Sequence, residues 1–157
     1  MNSFGAKYVH TNLVAKDWRK LSAFYQTLFG CVPVPPERDL CGEQMDAGTG
    51  IPDVHVWGEH LRLPGYGSEG PTLEIFNYNK LEESGKRSVN RPGFGHIAFS
   101  VEDVKSARES VLAAGGAPVG EVVTVQIASG ARVTWCYLTD PEGNVLELQS
   151  WSNLDPS

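Results

Sequence analysis

The chain of 157 residues contains an internal repeat, and this repeat strongly limits the folds that it can adopt. The segment 8–17 (YVHTNLVAKD) aligns with 94–103 (FGHIAFSVED) at an offset of 86 residues. A second match, between 73–76 and 146–149, has an offset of 73, so the second copy is 13 residues shorter. The first offset superposes three pairs of residues: His10 with His96, Asp17 with Asp103, and Gly30 with Gly116. We therefore predict two related units in one chain.

Each unit begins with a strand that is followed by a helix. The β-rich run at 8–14 precedes Asp17, a residue type that caps helix N-termini. Apolar residues then recur at helical spacing until Gly30, which is predicted to end the helix. In the second copy, Asp103 starts an equivalent helix that ends at Gly115-Gly116.

Strand-like segments follow each helix. They lie at 54–63 and 71–78 in the first unit, and at 121–128, 132–138 and 145–150 in the second. The segment 33–50 is rich in Gly and Pro and has no clear period, so it is predicted to be a long loop with at most one short strand. Each unit is therefore predicted as βα followed by a short antiparallel meander.

The whole chain, 1–157, is assigned to a single domain built from two modules. An apolar fraction of 41% at this length is sufficient for a packed core. Module 1 covers 5–78 and module 2 covers 93–151. The polar and charged segment 79–92 between them suits a surface linker.

Composition excludes several classes of function. A formal charge of −6 and a sequence pI near 5.2 argue against a nucleic-acid partner. The sequence has no apolar run long enough for a membrane span and no signal-peptide pattern, so we expect no membrane partner and a cytoplasmic location. Cys31, Cys41 and Cys136 form no CxxC pair, which indicates small buried side chains rather than disulfides or a thiolate metal site.

The repeat places four metal-ligand residue types at matched positions. His10 and His96 lie in the first strand of each unit, while Glu74 and Glu147 lie in the last. Two units packed about a pseudo-twofold axis would bring these positions together if their strand faces line the concave side. Two imidazoles and two carboxylates would then suit one divalent ion, Ni, Co, Zn, Fe or Mn. Each residue alone would also suit an ordinary half-exposed strand.

The segments GFGHIAFSVEDV and DPEGNVLEL, together with the paired His and Glu positions, resemble the vicinal oxygen chelate superfamily. This superfamily includes glyoxalase I, methylmalonyl-CoA epimerase, extradiol dioxygenases, and fosfomycin or bleomycin resistance proteins. The resemblance implies a glyoxalase-like α+β fold, in which two βαβββ modules form an open, cup-shaped mixed β-sheet around a metal. His10, Glu74, His96 and Glu147 match the four family ligand positions, and this set is most similar to bacterial glyoxalase I.

The resemblance implies a metal-dependent lyase or isomerase that stabilises an enediolate or enolate on the divalent metal. Glu147 is the first candidate for the catalytic base and Glu74 the second. A lactoylglutathione lyase type of reaction is expected. A methylmalonyl-CoA epimerase-like racemase is the alternative, and a dioxygenase or a non-catalytic binding or resistance protein is a further one.

The expected substrate is a small molecule with vicinal oxygens, such as a glutathione hemithioacetal or a CoA thioester. Arg62 and Arg132 occupy comparable strands and are the first candidates to bind an anionic substrate tail. His60 is a candidate contact to the substrate or to a metal ligand. The resemblance also implies a homodimer.

Overall fold

The computed structural model describes residues 5–83, 85 and 87–152, which divide into two compact units. The first unit contains the described residues up to Glu83, and the second contains those that follow. Ser84 and Lys86, in the predicted linker 79–92, lie outside the described residues. Across the described ranges, no helix has the length and apolar character needed to cross a membrane.

The first unit consists of a four-stranded mixed sheet and two helices among the described residues. Its elements are β1 (His10–Val14), α1 (Trp18–Phe29), β2 (Val32–Cys41), α2 (Glu43–Thr49), β3 (His55–Arg62) and β4 (Thr72–Tyr78). The sheet order is β1-β4-β3-β2, and β1 and β4 are the parallel pair. The βαβββ pattern predicted for this unit is therefore present, with α2 as an addition.

The second unit repeats this plan with a five-stranded mixed sheet. Its elements are β5 (Ile97–Ser100), α3 (Val104–Ala113), β6 (Ala117–Pro118), β7 (Val123–Gln126), β8 (Arg132–Thr139) and β9 (Val145–Ser152). The order is β5-β9-β8-β6, with β7 also paired to β8, and β5 is parallel to β9. The predicted α+β class is confirmed in both units.

Both long helices begin at the predicted caps. The Asp17 carboxylate accepts a hydrogen bond from the backbone N–H of Lys20, and the Asp103 carboxylate accepts one from Lys105 and one from Ser106. Helix α1 ends at Gly30, whose φ of 66° is a left-handed conformation that glycine adopts at little cost.

One face of the first sheet packs against α1. The buried helix residues Leu21 and Tyr25 cover a sheet face that includes Leu61, Leu73 and Ile75. Residues that alternate with these point to the opposite face of the sheet. That opposite face is the one available for a site.

The prediction of a loop at 33–50 is wrong. Sixteen of these eighteen residues form regular structure instead, nine of them in β2 and seven in α2. Strand β2 pairs with β3 along the sheet edge, with a register shift between Val34 and Arg38. The prolines that led to the loop prediction lie in this edge strand, where a missing backbone N–H is tolerated. Helix α2 is fixed by Asp46, whose carboxylate accepts hydrogen bonds from the backbone of Asp53 and Val54.

The cysteines divide into two buried thiols and one exposed thiol. Cys31 and Cys136 are buried, as predicted, but Cys41 at the end of β2 is exposed, so the prediction of a buried side chain is wrong there. Burial raises the pKa of Cys31 to about 11 and also raises the pKa of Cys136.

We expect one of the three thiols to react rapidly with a disulfide reagent such as DTNB at pH 8. At that pH a thiol with a pKa of about 11 is deprotonated in only about one molecule in a thousand, so Cys31 reacts slowly even if reagent reaches it. Raising the pH towards 11 should speed its reaction. Two rapidly reacting thiols in the native protein would contradict this assignment, and denaturation should release all three as the control.

Candidate metal centre

The face of the first sheet opposite α1 carries two histidines and one glutamate. The strand register places Glu74 of β4 beside Asn12 of β1 on one side and beside His60 of β3 on the other. His10 lies two residues before Asn12 and therefore shares its face. Three neighbouring strands thus bring His10, His60 and Glu74 into one cluster, which we call the His-His-Glu cluster.

The three side chains approach to distances at which one ion could be shared. Glu74 Oε2 lies 2.7 Å from His60 Nε2, and Glu74 Oε1 lies 3.7 Å from His10 Nε2. The two imidazole rings meet edge to face with centroids 5.4 Å apart. One donor atom from each residue lies within 4.8 Å of the other two. The side chains of Glu74 and His60 are 13% and 16% exposed to solvent, so the cluster is shielded but still reachable.

Two neighbouring polar side chains fix the orientation of the cluster. Asn12 Nδ2 donates a hydrogen bond of 2.8 Å to Glu74 Oε1. On the other side, the buried Thr72 hydroxyl lies 3.0 Å from His60 Nδ1. Contacts of this kind set the rotamer of a carboxylate and the ring orientation of a histidine.

The His60 ring is favoured in its neutral form. Burial lowers the pKa of His60, and electrostatic interactions with Arg38 and His10 lower it further, whereas Glu74 acts in the opposite direction. A neutral imidazole keeps a lone pair on one nitrogen, which is the form that binds metals.

The second unit contains an equivalent His-Glu pair. His96 Nε2 lies 2.9 Å from Glu147 Oε2. His96 immediately precedes β5, which begins at Ile97, so its predicted place inside the strand is wrong by one residue. Tyr137 of β8 is the register partner of Glu147, and its ring lies 4.9 Å from that of His96.

The structure brings the four predicted ligand residues together as two pairs, each within its own unit. His10 meets Glu74 in the first unit, and His96 meets Glu147 in the second. His60, predicted as a contact to substrate or to a metal ligand, lies beside the proposed ligand Glu74. The signal available in the sequence was weak, because strand alternation gives the face of His60 only once the β3–β4 register is known.

The two candidate arginines differ in position. Arg62 shares the face of His60, and its guanidinium donates a hydrogen bond to the Gly70 carbonyl. Arg132 pairs with Ser152 and lies, by strand alternation, on the face opposite Glu147. Of the two, Arg62 is therefore the better placed to bind a substrate at the site.

The family model described as Glyoxalase/Bleomycin resistance protein/Dioxygenase superfamily matches residues 7–148. The chain belongs to this superfamily. A curated relative of this glyoxalase superfamily member, a probable lactoylglutathione lyase from Vibrio parahaemolyticus serotype O3:K6 (strain RIMD 2210633), is 32% identical over 91 residues. The match covers 56% of this chain and about 60% of that relative's length.

Solved structures of the superfamily share the fold. A glyoxalase family protein from Bacillus cereus has a TM-score of 0.72 at 19% identity, covering 98% of this chain and 97% of that one. The fosfomycin resistance protein FosX from Listeria monocytogenes, solved with Mn(II) and sulfate, has a TM-score of 0.51 at 20% identity, covering 98% and 97%. These likenesses show the fold alone.

The donors of the His-His-Glu cluster fit a divalent transition-metal ion. Two neutral imidazoles and one carboxylate supply nitrogen and oxygen ligands and offset one of its two charges. The hydrogen bond from Asn12 to Glu74 and the contact between Thr72 and His60 supply the outer support that such ligands usually have.

Proposed function

We propose that this glyoxalase superfamily member is a metal-dependent lyase or isomerase of the lactoylglutathione lyase type. Its reaction would move a proton between adjacent carbons of a small substrate that carries vicinal oxygens. The proposal is supported chiefly by the pairing of His10 with Glu74 and of His96 with Glu147, in which each glutamate lies on the last strand of its unit. These four residues remain our proposed metal ligands.

A bound divalent ion would supply Lewis-acid stabilisation of the negative charge that develops on substrate oxygen as the proton leaves. The protein itself must then accept and return the proton. Carboxylates beside the ion suit this task, because a general base must reach the proton directly.

Contacts within each unit favour Glu147 over Glu74 as the base. The Glu74 carboxylate is restrained by a hydrogen bond from Asn12 and by the imidazole of His60. Among the described residues, Glu147 has a single ion-pair partner, His96. A less restrained carboxylate can move towards a substrate proton at lower cost, which supports Glu147 as the residue that takes and returns it.

The substrate tail would be anionic in either of the expected substrate classes. Glutathione and coenzyme A both carry negative charges that an arginine can bind. Arg62 is the proposed contact, because it lies on the face of the His-His-Glu cluster. A homodimer and a cytoplasmic location stay predictions.

We expect the purified protein to contain close to one divalent ion per chain and to turn over one of two substrates. The test compares the hemithioacetal of methylglyoxal and glutathione with methylmalonyl-CoA, following exchange of the substrate α-proton in D₂O by NMR. Removing the metal with EDTA should abolish exchange, and adding Ni(II), Co(II) or Zn(II) should restore it. Exchange with methylmalonyl-CoA alone would assign the epimerase reaction instead.

A binding or resistance protein would behave differently. It would exchange no α-proton from either substrate, with or without added metal. A hydrophobic ligand that bound equally well before and after chelation would then contradict the proposed enzyme.

A further inference from the structure

His60 departs from the internal symmetry of the chain. In the first unit it is the β3 neighbour of Glu74, and in the second unit the equivalent β8 neighbour of Glu147 is Tyr137. An imidazole nitrogen is a common ligand for a transition metal, whereas the phenol of Tyr137 is a weak one at neutral pH. The two units are therefore not equivalent as ligand sources.

We propose that His60 is itself a metal ligand, so that the first unit alone carries a three-donor site made of His10, His60 and Glu74. This inference deepens the proposed function, because it concerns the same ion. It changes the ligand set given above: His60 joins His10 and Glu74, and His96 and Glu147 are not needed to hold the ion.

The distances within the His-His-Glu cluster are close to those of donors around one ion. Ligand atoms at about 2.0–2.2 Å from a metal lie about 2.8–3.6 Å apart when they occupy adjacent octahedral or tetrahedral positions. In the cluster, Glu74 Oε2 lies 2.7 Å from His60 Nε2, and Glu74 Oε1 lies 3.7 Å from His10 Nε2. One donor atom from each of the three residues lies within 4.8 Å of the other two, so small side-chain movements would close the three donors around one ion.

The Nδ1 atom of His60, which would not bind the ion, has a hydrogen-bonding partner, as is usual for a histidine that binds a metal through its other nitrogen. Its Nδ1 lies 3.0 Å from the hydroxyl of Thr72, while Nε2 faces Glu74. If Nδ1 donates its proton to Thr72, the lone pair lies on Nε2, inside the cluster. The buried position of Thr72 keeps this contact away from solvent.

Another histidine on the same strand provides a natural comparison. His55 of β3 also meets a carboxylate, that of Asp39, and its ring stacks on Trp57 at 4.0 Å. Within the described ranges, no third donor joins this pair, whereas His10 joins His60 and Glu74. A His-carboxylate contact on β3 is therefore not sufficient for a site, and His55 serves as the matched control.

Three protein donors would leave three positions of an octahedral ion for water or substrate oxygens. That number is sufficient for two vicinal oxygens of one substrate. It also means that Glu147 need not stay bound to the ion while it acts as the base.

The first test measures Co(II) binding by calorimetry in the untagged chain of 157 residues. His60→Gln keeps an amide that can donate a hydrogen bond to Glu74 but removes the imidazole, and we expect at least a 100-fold loss of affinity. His55→Gln should bind Co(II) as the wild type does. Loss of a residue that merely orients a ligand costs about 10–100-fold, so a loss below 100-fold in His60→Gln with unchanged circular dichroism overturns the proposal.

A second test does not require a His60 variant to fold. The double variant His96→Ala/Glu147→Ala removes the donors of the second unit, and pulsed EPR with Cu(II) counts the imidazoles that remain bound. Two coordinated imidazoles, together with one Co(II) per chain, are expected. One imidazole, or loss of the ion, would contradict a self-contained site in the first unit.

These outcomes are separate from those of the proposed function. A protein that binds Co(II) through His60 yet exchanges no α-proton from either substrate would refute the lyase proposal and leave the ligand assignment intact. If the wild type exchanges the α-proton but the double variant loses its ion, the lyase proposal stands and the three-donor site in the first unit is refuted.

Discussion

Replacing Glu147 with glutamine is expected to lower α-proton exchange by about 10³-fold, because a general base contributes between 10² and 10⁴ to such reactions. Glutamine preserves the shape and the carbonyl oxygen of the side chain but cannot accept a proton at neutral pH. The contact between Glu147 and His96 at 2.9 Å shows that the carboxylate already lies beside a proposed ligand. Exchange in D₂O, followed by NMR with the preferred substrate, measures this loss directly.

The matched control for this variant is Glu109→Gln. Glu109 is an exposed residue of α3, so the substitution makes the same change of charge away from the His-Glu pair. It should leave exchange unchanged. Metal content should be measured in parallel for Glu147→Gln, since loss of the ion would mimic loss of the base. Full exchange in a metal-loaded Glu147→Gln protein would transfer the role of base to Glu74.

Substituting alanine at Gly58 is expected to destabilise the protein by about 3 kcal/mol, near the upper end of the usual cost of overpacking. Gly58 of β3 lies directly opposite Phe76 of β4. A Cβ added at this position would lie 2.0 Å from the backbone oxygen of Ile75 and 2.6 Å from Cδ1 of Phe76. The backbone oxygen cannot yield without moving β4 away from β3.

Gly48→Ala in α2 is the control for this prediction. An added Cβ there meets nothing within 4 Å, and alanine is favoured over glycine inside a helix by up to about 1 kcal/mol. Urea unfolding followed by circular dichroism should show opposite shifts for the two variants. Equal stability of Gly58→Ala and the wild type would show that β3 and β4 are free to separate at this point.

Elements with a strong local signal could be predicted from the sequence. Asp17 and Gly30 delimit α1 because capping and termination depend on residues adjacent in the chain. The repeat also singled out His10 and His96, and Glu74 and Glu147, as matched positions, although it did not predict that each histidine would pair with the glutamate of its own unit. These positions stood out because the same residue types occur at matched places in both units.

Features that depend on strand register could not be predicted in this way. Strand β2 has no alternating pattern, since three prolines and a register shift interrupt it, and only pairing with β3 defines it. The contact of His60 with Glu74 likewise depends on how the turn between β3 and β4 sets their register. A shift by one residue would have placed His60 on the face of α1.

The prolines of β2 also bear on how the protein behaves at high concentration. This strand is the last in the order of the first sheet, and an exposed strand at a sheet edge can recruit a strand from another molecule. Pro33, Pro35 and Pro36 have no N–H groups to donate to such an incoming strand. Three charged residues, Glu37 to Asp39, follow them directly. The proline-rich part of β2, which made this strand hard to predict, should therefore protect the chain from forming intermolecular β-aggregates.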